Sequence, residues 1–258
     1  MVTLASGTCA MLGFNAWAEI ASLGDAINKA GRQRMLSQRM SKAWLAVMQG
    51  VEVDKARKVL TQSVALFEEQ LADLRRFASS AELRETYSQV EPQWTAFKAG
   101  LLNKDAKRAD AVALLQQDAK VLALSNQGTL QFESTLDKPV GKLVNVSGRQ
   151  RMLSQRMAKF YLASTLLLDP SISLKEIDKA RTEFLAAMQL LRSAPQTTQR
   201  IQEQLALADG QWVFFDGALQ HLKNGDARPQ SMADVFNTSE NLLATMDRVT
   251  TLFAALDV

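Results

Sequence analysis

A verbatim internal repeat constrains this chain more than any other feature. The ten residues 31–40, Gly-Arg-Gln-Arg-Met-Leu-Ser-Gln-Arg-Met, recur unchanged at 148–157. The similarity extends beyond the motif, because Asn145 and Phe184 follow Asn28 and Phe67 at the same spacing. Identity of this length within diverged surroundings indicates that one structural unit was duplicated, so the fold must accommodate two similar halves.

Each half carries the pattern of four helices. Gly and Pro are scarce, at 12 and 5 of 258 residues, and no alternating run of β-branched residues predicts a strand. Gly50 is a suitable residue to end the first helix, and Ser173 with Glu176 matches a capping box at the start of a later one. We therefore predict an all-α protein of two tandem four-helix up-and-down bundles, at residues 19–137 and 138–258, related by the internal repeat.

The first eighteen residues have a different character. They contain no charged side chain and end in Ala16-Trp17-Ala18, directly before Glu19. The A-x-A pattern predicts a signal peptide over residues 1–18 that is cleaved after Ala18, and hence a periplasmic protein. Two alternatives remain open: an uncleaved N-terminal membrane anchor, although the apolar stretch is short for a span, and an ordinary first helix.

On a helix, the repeated motif forms a seam of unusual composition. Asn28, Gly31, Met35, Gln38 and Lys42 are spaced three or four residues apart and therefore share one face. This face carries small, polar and flexible residues where a bundle core usually has Leu and Ile. A glycine inside a helix costs about 1 kcal/mol relative to alanine, so Gly31 predicts the close approach of another backbone or of a ligand.

Positive charge is concentrated at the two copies of the motif. Residues 26–51 and 138–168 contain lysines and arginines but no acid, although the chain has 27 acidic residues in all. Such focusing favours an anionic ligand, and the planar fork of an arginine binds two oxygens at once. The alternative is that these basic residues are solvated or pair with acids of neighbouring helices.

The motif resembles that of the N-terminal sensor domains of PilJ-type and NarX-like receptors. The resemblance rests on the pattern Gly-x-x-Arg-Met-x-Ser-x-Arg with an Asn three residues before the glycine, which both copies contain. It implies a periplasmic four-helix sensor bundle. In the nitrate-sensing relatives the anion lies between two first helices, which by position implies that Arg34 and Arg151, with the backbone at Gly31 and Gly148, would hold it.

The chain departs from the nitrate-sensing pattern at two places. Those sensors have Ser after the motif glycine and Tyr after the motif serine. Arg32 and Gln38 stand there in the first copy, and Arg149 and Gln155 in the second. The first helix of each copy is therefore more basic than in the nitrate sensors.

Two functions are compatible with these patterns. The first is a sensor-type protein that binds a small anion, such as nitrate or nitrite, and acts through a partner such as a membrane receptor or transporter. The second is a helical assembly protein in which the motif is a packing seam only. A ligand site requires the guanidinium groups of Arg34 and Arg151 to converge on one point, whereas a packing seam does not. The candidate ligand-binding residues are Asn28, Gly31, Arg34, Gln38, Asn145, Gly148, Arg151 and Gln155.

Other functions have little support in the sequence. The one histidine, His221, lies in an apolar helical pattern, and no Glu-x-x-His pair, Cys/His cluster or glycine-rich phosphate loop is present. We therefore expect no enzyme activity, no metal and no cofactor. The basic helices carry few aromatic residues, which argues against a nucleic-acid partner. A homodimer is compatible with the seam.

Overall fold

The structure, a computed structural model, describes residues 20–136, 138–166, 170–223 and 228–257. The predicted signal peptide, residues 1–18, lies outside the described residues. Within them the chain forms eight α-helices and no strand, which confirms the predicted all-α helical bundle. The helices are α1 (Leu23–Met48), α2 (Val53–Phe77), α3 (Ala81–Leu101), α4 (Ala111–Leu136), α5 (Pro139–Ala163), α6 (Pro170–Ser193), α7 (Gln199–Lys223) and α8 (Pro229–Ala254).

Local sequence signals set several of the helix ends. The Ser22 side chain caps α1 by accepting a hydrogen bond from the backbone N–H of Asp25 at 3.1 Å. At the other end Gly50 has φ +72°, a conformation that glycine adopts without strain. The N–H groups of Gly50 and Val51 then bond to the carbonyls of Val47 and Ala46, at 3.2 and 2.9 Å. This is a Schellman motif, and it confirms that Gly50 closes the first helix.

The capping box expected at Ser173 and Glu176 was wrong. Helix α6 begins at Pro170, so Ser173 lies inside the helix, where it is buried. Proline suits the first turn of a helix because its fixed φ is already helical and it has no N–H to leave unpaired. Helix α6 therefore starts at Pro170, three residues before Ser173.

The two motif helices form the centre of the bundle. Helix α1 packs most extensively against α5, and each of these two also packs against the second and fourth helix of its own copy. The third helix of each copy packs mainly against the fourth. Most residues of α1 and α5 are consequently buried, which explains why both helices lack the polar outer face of an ordinary surface helix.

Equivalent aromatic clusters stabilise the two copies. The ring of Phe67 stacks on Trp94 at a centroid distance of 4.1 Å, and Phe184 stacks on Trp212 at 4.5 Å. Aromatic pairs of this kind add about 0.5–1.5 kcal/mol beyond the apolar area that they bury. Among the described helices, none combines the length and apolarity needed to cross a membrane.

Candidate functional site

The pairing of α1 with α5 brings the two copies of the motif face to face in the middle of the molecule. Arg34 and Arg151 are only 1% and 0% exposed, although arginine is among the residues least often buried. The 3.6-residue period of the helix puts each arginine close to the glycine three residues before it. The two guanidinium groups therefore lie inside the bundle, beside Gly31 and Gly148.

The two guanidinium groups converge. A Cβ atom built at Gly31 would lie 3.1 Å from Nη2 of Arg34 and 3.6 Å from Nη2 of Arg151. A Cβ built at Gly148 would lie 3.1 Å from Nη2 of Arg151 and 3.8 Å from Nη2 of Arg34. Each glycine thus faces both arginines, and its missing side chain provides the room that the two cations occupy.

Both arginines reach across to the asparagine of the other copy. Nη2 of Arg34 donates to Oδ1 of Asn145 at 2.7 Å, and Nη2 of Arg151 donates to the backbone carbonyl of Asn28 at 3.1 Å. The site thus includes Asn28 and Asn145 together with the arginines and glycines. Nε of both arginines and Oδ1 of Asn28 are buried without a hydrogen-bond partner among the described residues. Buried polar atoms of this kind are uncommon and need a reason.

Two further residues of the site lie on the fourth helices, and sequence reasoning missed them. Nη1 of Arg34 donates to Oδ1 of Asn126 at 2.9 Å, while Nη1 of Arg151 donates to a carboxylate oxygen of Asp247. Asn126 on α4 and Asp247 on α8 occupy equivalent positions, because each lies three residues before a buried threonine that contacts a motif glycine. The shared Thr-x-x-Phe sequences at 129–132 and 250–253 could have revealed this equivalence.

The electrostatic surroundings of the two arginines differ. Burial lowers the pKa of Arg34 to about 9, and the positive charges of Arg149 and Arg151 lower it further. Burial also lowers the pKa of Arg151, to about 10, but the adjacent Asp247 opposes this effect. Both guanidinium groups remain charged at neutral pH. Two buried cations that repel each other are costly, and an anion placed between them would relieve that cost.

Gln38 and Gln155 lie one turn further along the seam, and their side chains form hydrogen bonds with residues other than Arg34 and Arg151. Nε2 of Gln38 donates to Asp118 at 2.7 Å, and Nε2 of Gln155 donates to the backbone carbonyl of Ser239 at 3.0 Å. These contacts hold each motif helix against the fourth helix of its own copy. The two glutamines therefore belong to a second group of buried polar residues, one helical turn away from the group that contains Arg34.

Two lysines of the same group link the copies. Nζ of Lys159 binds Asp118 at 2.6 Å, and both side chains are almost fully buried. Nζ of Lys42 binds Glu240 at 2.6 Å and Oγ of Ser239 at 2.9 Å. Each lysine thus reaches the fourth helix of the other copy, which ties the central pair of helices to its neighbours.

Much of the basic character of the two motif helices is compensated by acids on neighbouring helices. Arg32 pairs with Asp247 and Arg39 with Glu240, both on α8. In the second copy, Arg149 and Arg156 pair with Glu183 and Glu176 on α6. The alternative explanation, pairing with neighbouring acids, therefore holds for these four arginines. Arg34 differs from them, because its hydrogen-bond partners within the described chain are amide groups.

Within the described chain, no group of His, Cys, Asp and Glu side chains has an arrangement that could hold a metal ion. The chemistry that the arrangement around Arg34 and Arg151 offers is the binding of an anion by charge-assisted hydrogen bonds.

Comparison with known proteins identifies a family. The model of the type IV pili methyl-accepting chemotaxis transducer N-terminal domain, PilJ, matches residues 18–127 and 134–227. No curated protein and no solved structure shows significant similarity to the chain. Domains of this family are signalling sensor domains. Because the match covers most of its length, the chain belongs to the PilJ family of chemotaxis-transducer N-terminal domains.

Proposed function

We propose that this chain is a periplasmic sensor-type protein that binds a small anion, nitrate-like or nitrite-like in size, between Arg34 and Arg151. In this proposal residues 1–18 are a signal peptide, and residues 19–137 and 138–258 are two copies of one sensor module. The central pair of α1 and α5 then corresponds to two first helices that face each other across the ligand. A membrane receptor or transporter would receive the signal, and no catalytic step is involved.

The convergence of the two guanidinium groups is the observation that carries this proposal. Two buried cations beside two glycines form a site that is positively charged, lined with hydrogen-bond donors and small. Nε of Arg34 and Nε of Arg151 are two further buried donors without a hydrogen-bond partner among the described residues. An anion could satisfy such donors and reduce the repulsion between the two cations.

The assembly hypothesis explains the glycines less well. A glycine that allows two helices to pack closely would have the backbone of the facing helix next to its missing Cβ. The atoms nearest to a Cβ at Gly31 or Gly148 are instead arginine nitrogens and a threonine methyl group. The glycines thus make room for the guanidinium groups, and a seam used for packing alone would not need two buried arginines at this place.

Thermal unfolding with added anions tests the proposal. We would compare nitrate, nitrite, sulfate and formate, with chloride keeping the ionic strength constant. An anion at a hundred times its dissociation constant adds about 2.7 kcal/mol to the stability of the protein that binds it. We expect one of these anions to raise the unfolding temperature of the wild type, and Arg34→Ala and Arg151→Ala to abolish that increase.

A matched control separates the site from general charge effects. Arg75 is about half exposed and pairs with Glu91 on the outside of the bundle, so Arg75→Ala removes the same charge far from the seam. This variant should keep the full response to the anion, with each variant compared with its own anion-free sample. A wild type that responds to none of the anions, or an equal loss of response in Arg75→Ala, would refute the proposal and favour the assembly role.

A further inference from the structure

A cavity of about 370 Å³ opens between α4 and α5, on one side of the central helix pair. Its walls combine two kinds of side chain. The cations are Arg34, Arg149, Arg156 and Lys159, and the apolar side chains include Leu115, Leu122, Met152 and Phe160. A mixed lining of this kind suits a ligand that has both a charged and an apolar part.

Three of the four cations already have a carboxylate partner. Arg149 and Arg156 bind Glu183 and Glu176 of α6, and Lys159 binds Asp118. The fourth, Arg34, is held by the amides of Asn126 and Asn145. Glu133 accepts a hydrogen bond from the Asn145 amide, and its negative charge acts on Arg34 without a direct contact. Arg34 is thus the cation of this cavity that lacks direct contact with a carboxylate among the described residues.

The equivalent groove on the other side of the helix pair, between α1 and α8, is built differently. At the positions of Ala119 and Asn126 it has Glu240 and Asp247. These two carboxylates contact all four equivalent cations of that groove: Asp247 binds Arg32 and Arg151, and Glu240 binds Arg39 and Lys42. The α4/α5 groove lacks these two carboxylates and instead pairs three of its cations with Asp118, Glu176 and Glu183, which leaves only Arg34 without a direct carboxylate contact among the described residues.

We propose that the α4/α5 cavity binds an organic monocarboxylate, whose carboxylate group takes, next to Arg34, the place that Asp247 takes next to Arg151. One carboxylate supplies the direct ion-pair partner that Arg34 lacks among the described residues, which makes the preferred ligand a monoanion. Nε of Arg34 is buried and has no hydrogen-bond partner among the described residues, while the two Nη atoms donate to the asparagines. This inference rests on the proposed sensor function and adds to it a larger, organic anion bound on the α4/α5 side of Arg34.

The apolar side chains of the cavity favour an apolar group on the part of the ligand beyond its carboxylate. Phe160 lies under two of the cations, with Nζ of Lys159 4.4 Å from the ring centroid, so its ring is fixed at the edge of the charged region. A ring or short alkyl group attached to the carboxylate would lie against Leu122, Met152 and Phe160. The cavity has the volume of roughly a dozen water molecules, which is sufficient for a benzoate or hexanoate ion.

Calorimetric titration of the purified chain with benzoate tests the inference. Formate, which lacks the apolar part, and benzamide, which lacks the charge, serve as reference ligands. We expect one benzoate per chain, bound roughly tenfold or more tightly than formate because the ring is buried, and no measurable binding of benzamide. Nitrate is titrated in parallel.

Matched substitutions in the two grooves locate the site. Ala123 lines the cavity on α4, and Ala244 occupies the equivalent exposed position on α8. Ala123→Phe should fill the cavity and abolish benzoate binding, while Ala244→Phe should leave it unchanged. Asn126→Asp, which copies Asp247 into the cavity next to Arg34, should weaken benzoate binding at least tenfold because its carboxylate takes the place of the ligand's.

The outcomes separate this inference from the proposed function. Loss of benzoate binding in Ala123→Phe with retention in Ala244→Phe would support a ligand in the α4/α5 cavity. Benzoate that binds no better than formate, or that binds equally well to Ala123→Phe, would overturn the inference. Nitrate binding that depends on Arg34 would leave the proposed function standing in that case. Failure of both nitrate and benzoate to bind would overturn both.

Discussion

The salt bridge between Lys159 and Asp118 gives the sharpest stability prediction. Lys159→Met keeps the volume of the lysine side chain and removes its charge, which leaves Asp118 as a carboxylate that is fully buried. Removing one partner of a buried ion pair typically costs 3–5 kcal/mol. Asp118 retains its hydrogen bond from Gln38, so we expect the lower end of this range, about 3 kcal/mol. For a chain of this length that corresponds to a decrease of roughly 6–12 °C in unfolding temperature.

The equivalent lysine of the first copy provides the control. Lys42→Met also removes a buried charge, but its partner Glu240 is 14% exposed and keeps the bidentate interaction with Arg39. Glu240 therefore remains paired, and we expect a loss of only about 1 kcal/mol. Urea and thermal unfolding of both variants measure the difference.

A double variant tests the physical cause. If the loss in Lys159→Met arises from the unpaired carboxylate, then Lys159→Met/Asp118→Leu should recover most of the stability, because both charges have been replaced by apolar groups. Equal losses in Lys159→Met and Lys42→Met would refute the reasoning, as would a double variant no more stable than the single one.

Three further predictions concern two glycines and the acid stability of the bundle. Gly31→Ala would bring a Cβ 3.1 Å from Nη2 of Arg34, so we expect unfolding in urea to change by less than about 1 kcal/mol while anion affinity falls at least tenfold in a titration. Gly210→Ala meets nothing within 4 Å and should stabilise the chain by about 0.5–1 kcal/mol in the same unfolding experiment. Burial would raise the pKa of Glu240, but Lys42 and Arg39 outweigh it and lower the pKa to about 2. The contribution of Glu240 to the free energy of unfolding is therefore fully present at neutral pH and is lost as the pH falls from about 5 towards 2. Unfolding measured at several pH values should show a smaller loss of stability over this range in Glu240→Gln than in the wild type.

Features encoded by neighbouring residues could be predicted from the sequence. The end of α1 at Gly50 follows from the few residues around it, because the Schellman motif is local. The helical character of the whole chain follows in the same way from propensity and spacing. Ser173 shows the limit of such reasoning, because two competing local signals lay three residues apart and the proline, not the serine, started the helix.

Contacts between distant residues could not be predicted in the same way. The motif indicated that Gly31 and Arg34 would contact another helix or a ligand, because a glycine and an arginine are unusual in the buried part of a helix. The identity of the groups around Arg34 depends on which residues of α4 face α1 and α5, and a single sequence gives no such register. Asn126 and Asp247 were missed for this reason, and although pairing with acids of neighbouring helices was considered, the particular acids could not be named.

Joining two copies in one chain permits an asymmetry that a symmetric dimer cannot have. When two identical chains pair through their first helices, the grooves on both sides of the pair carry the same residues. In a tandem chain each groove can change alone, and here Asp247 contacts Arg151 where Asn126 contacts Arg34. A carboxylate in one groove contacts one arginine directly, while in the other groove an amide takes that place. The ten motif residues around the two arginines are identical, but the free energy that a bound anion would gain from each arginine differs. Arg151 already contacts a carboxylate of the protein, whereas Arg34 contacts amides and would gain more from a bound anion.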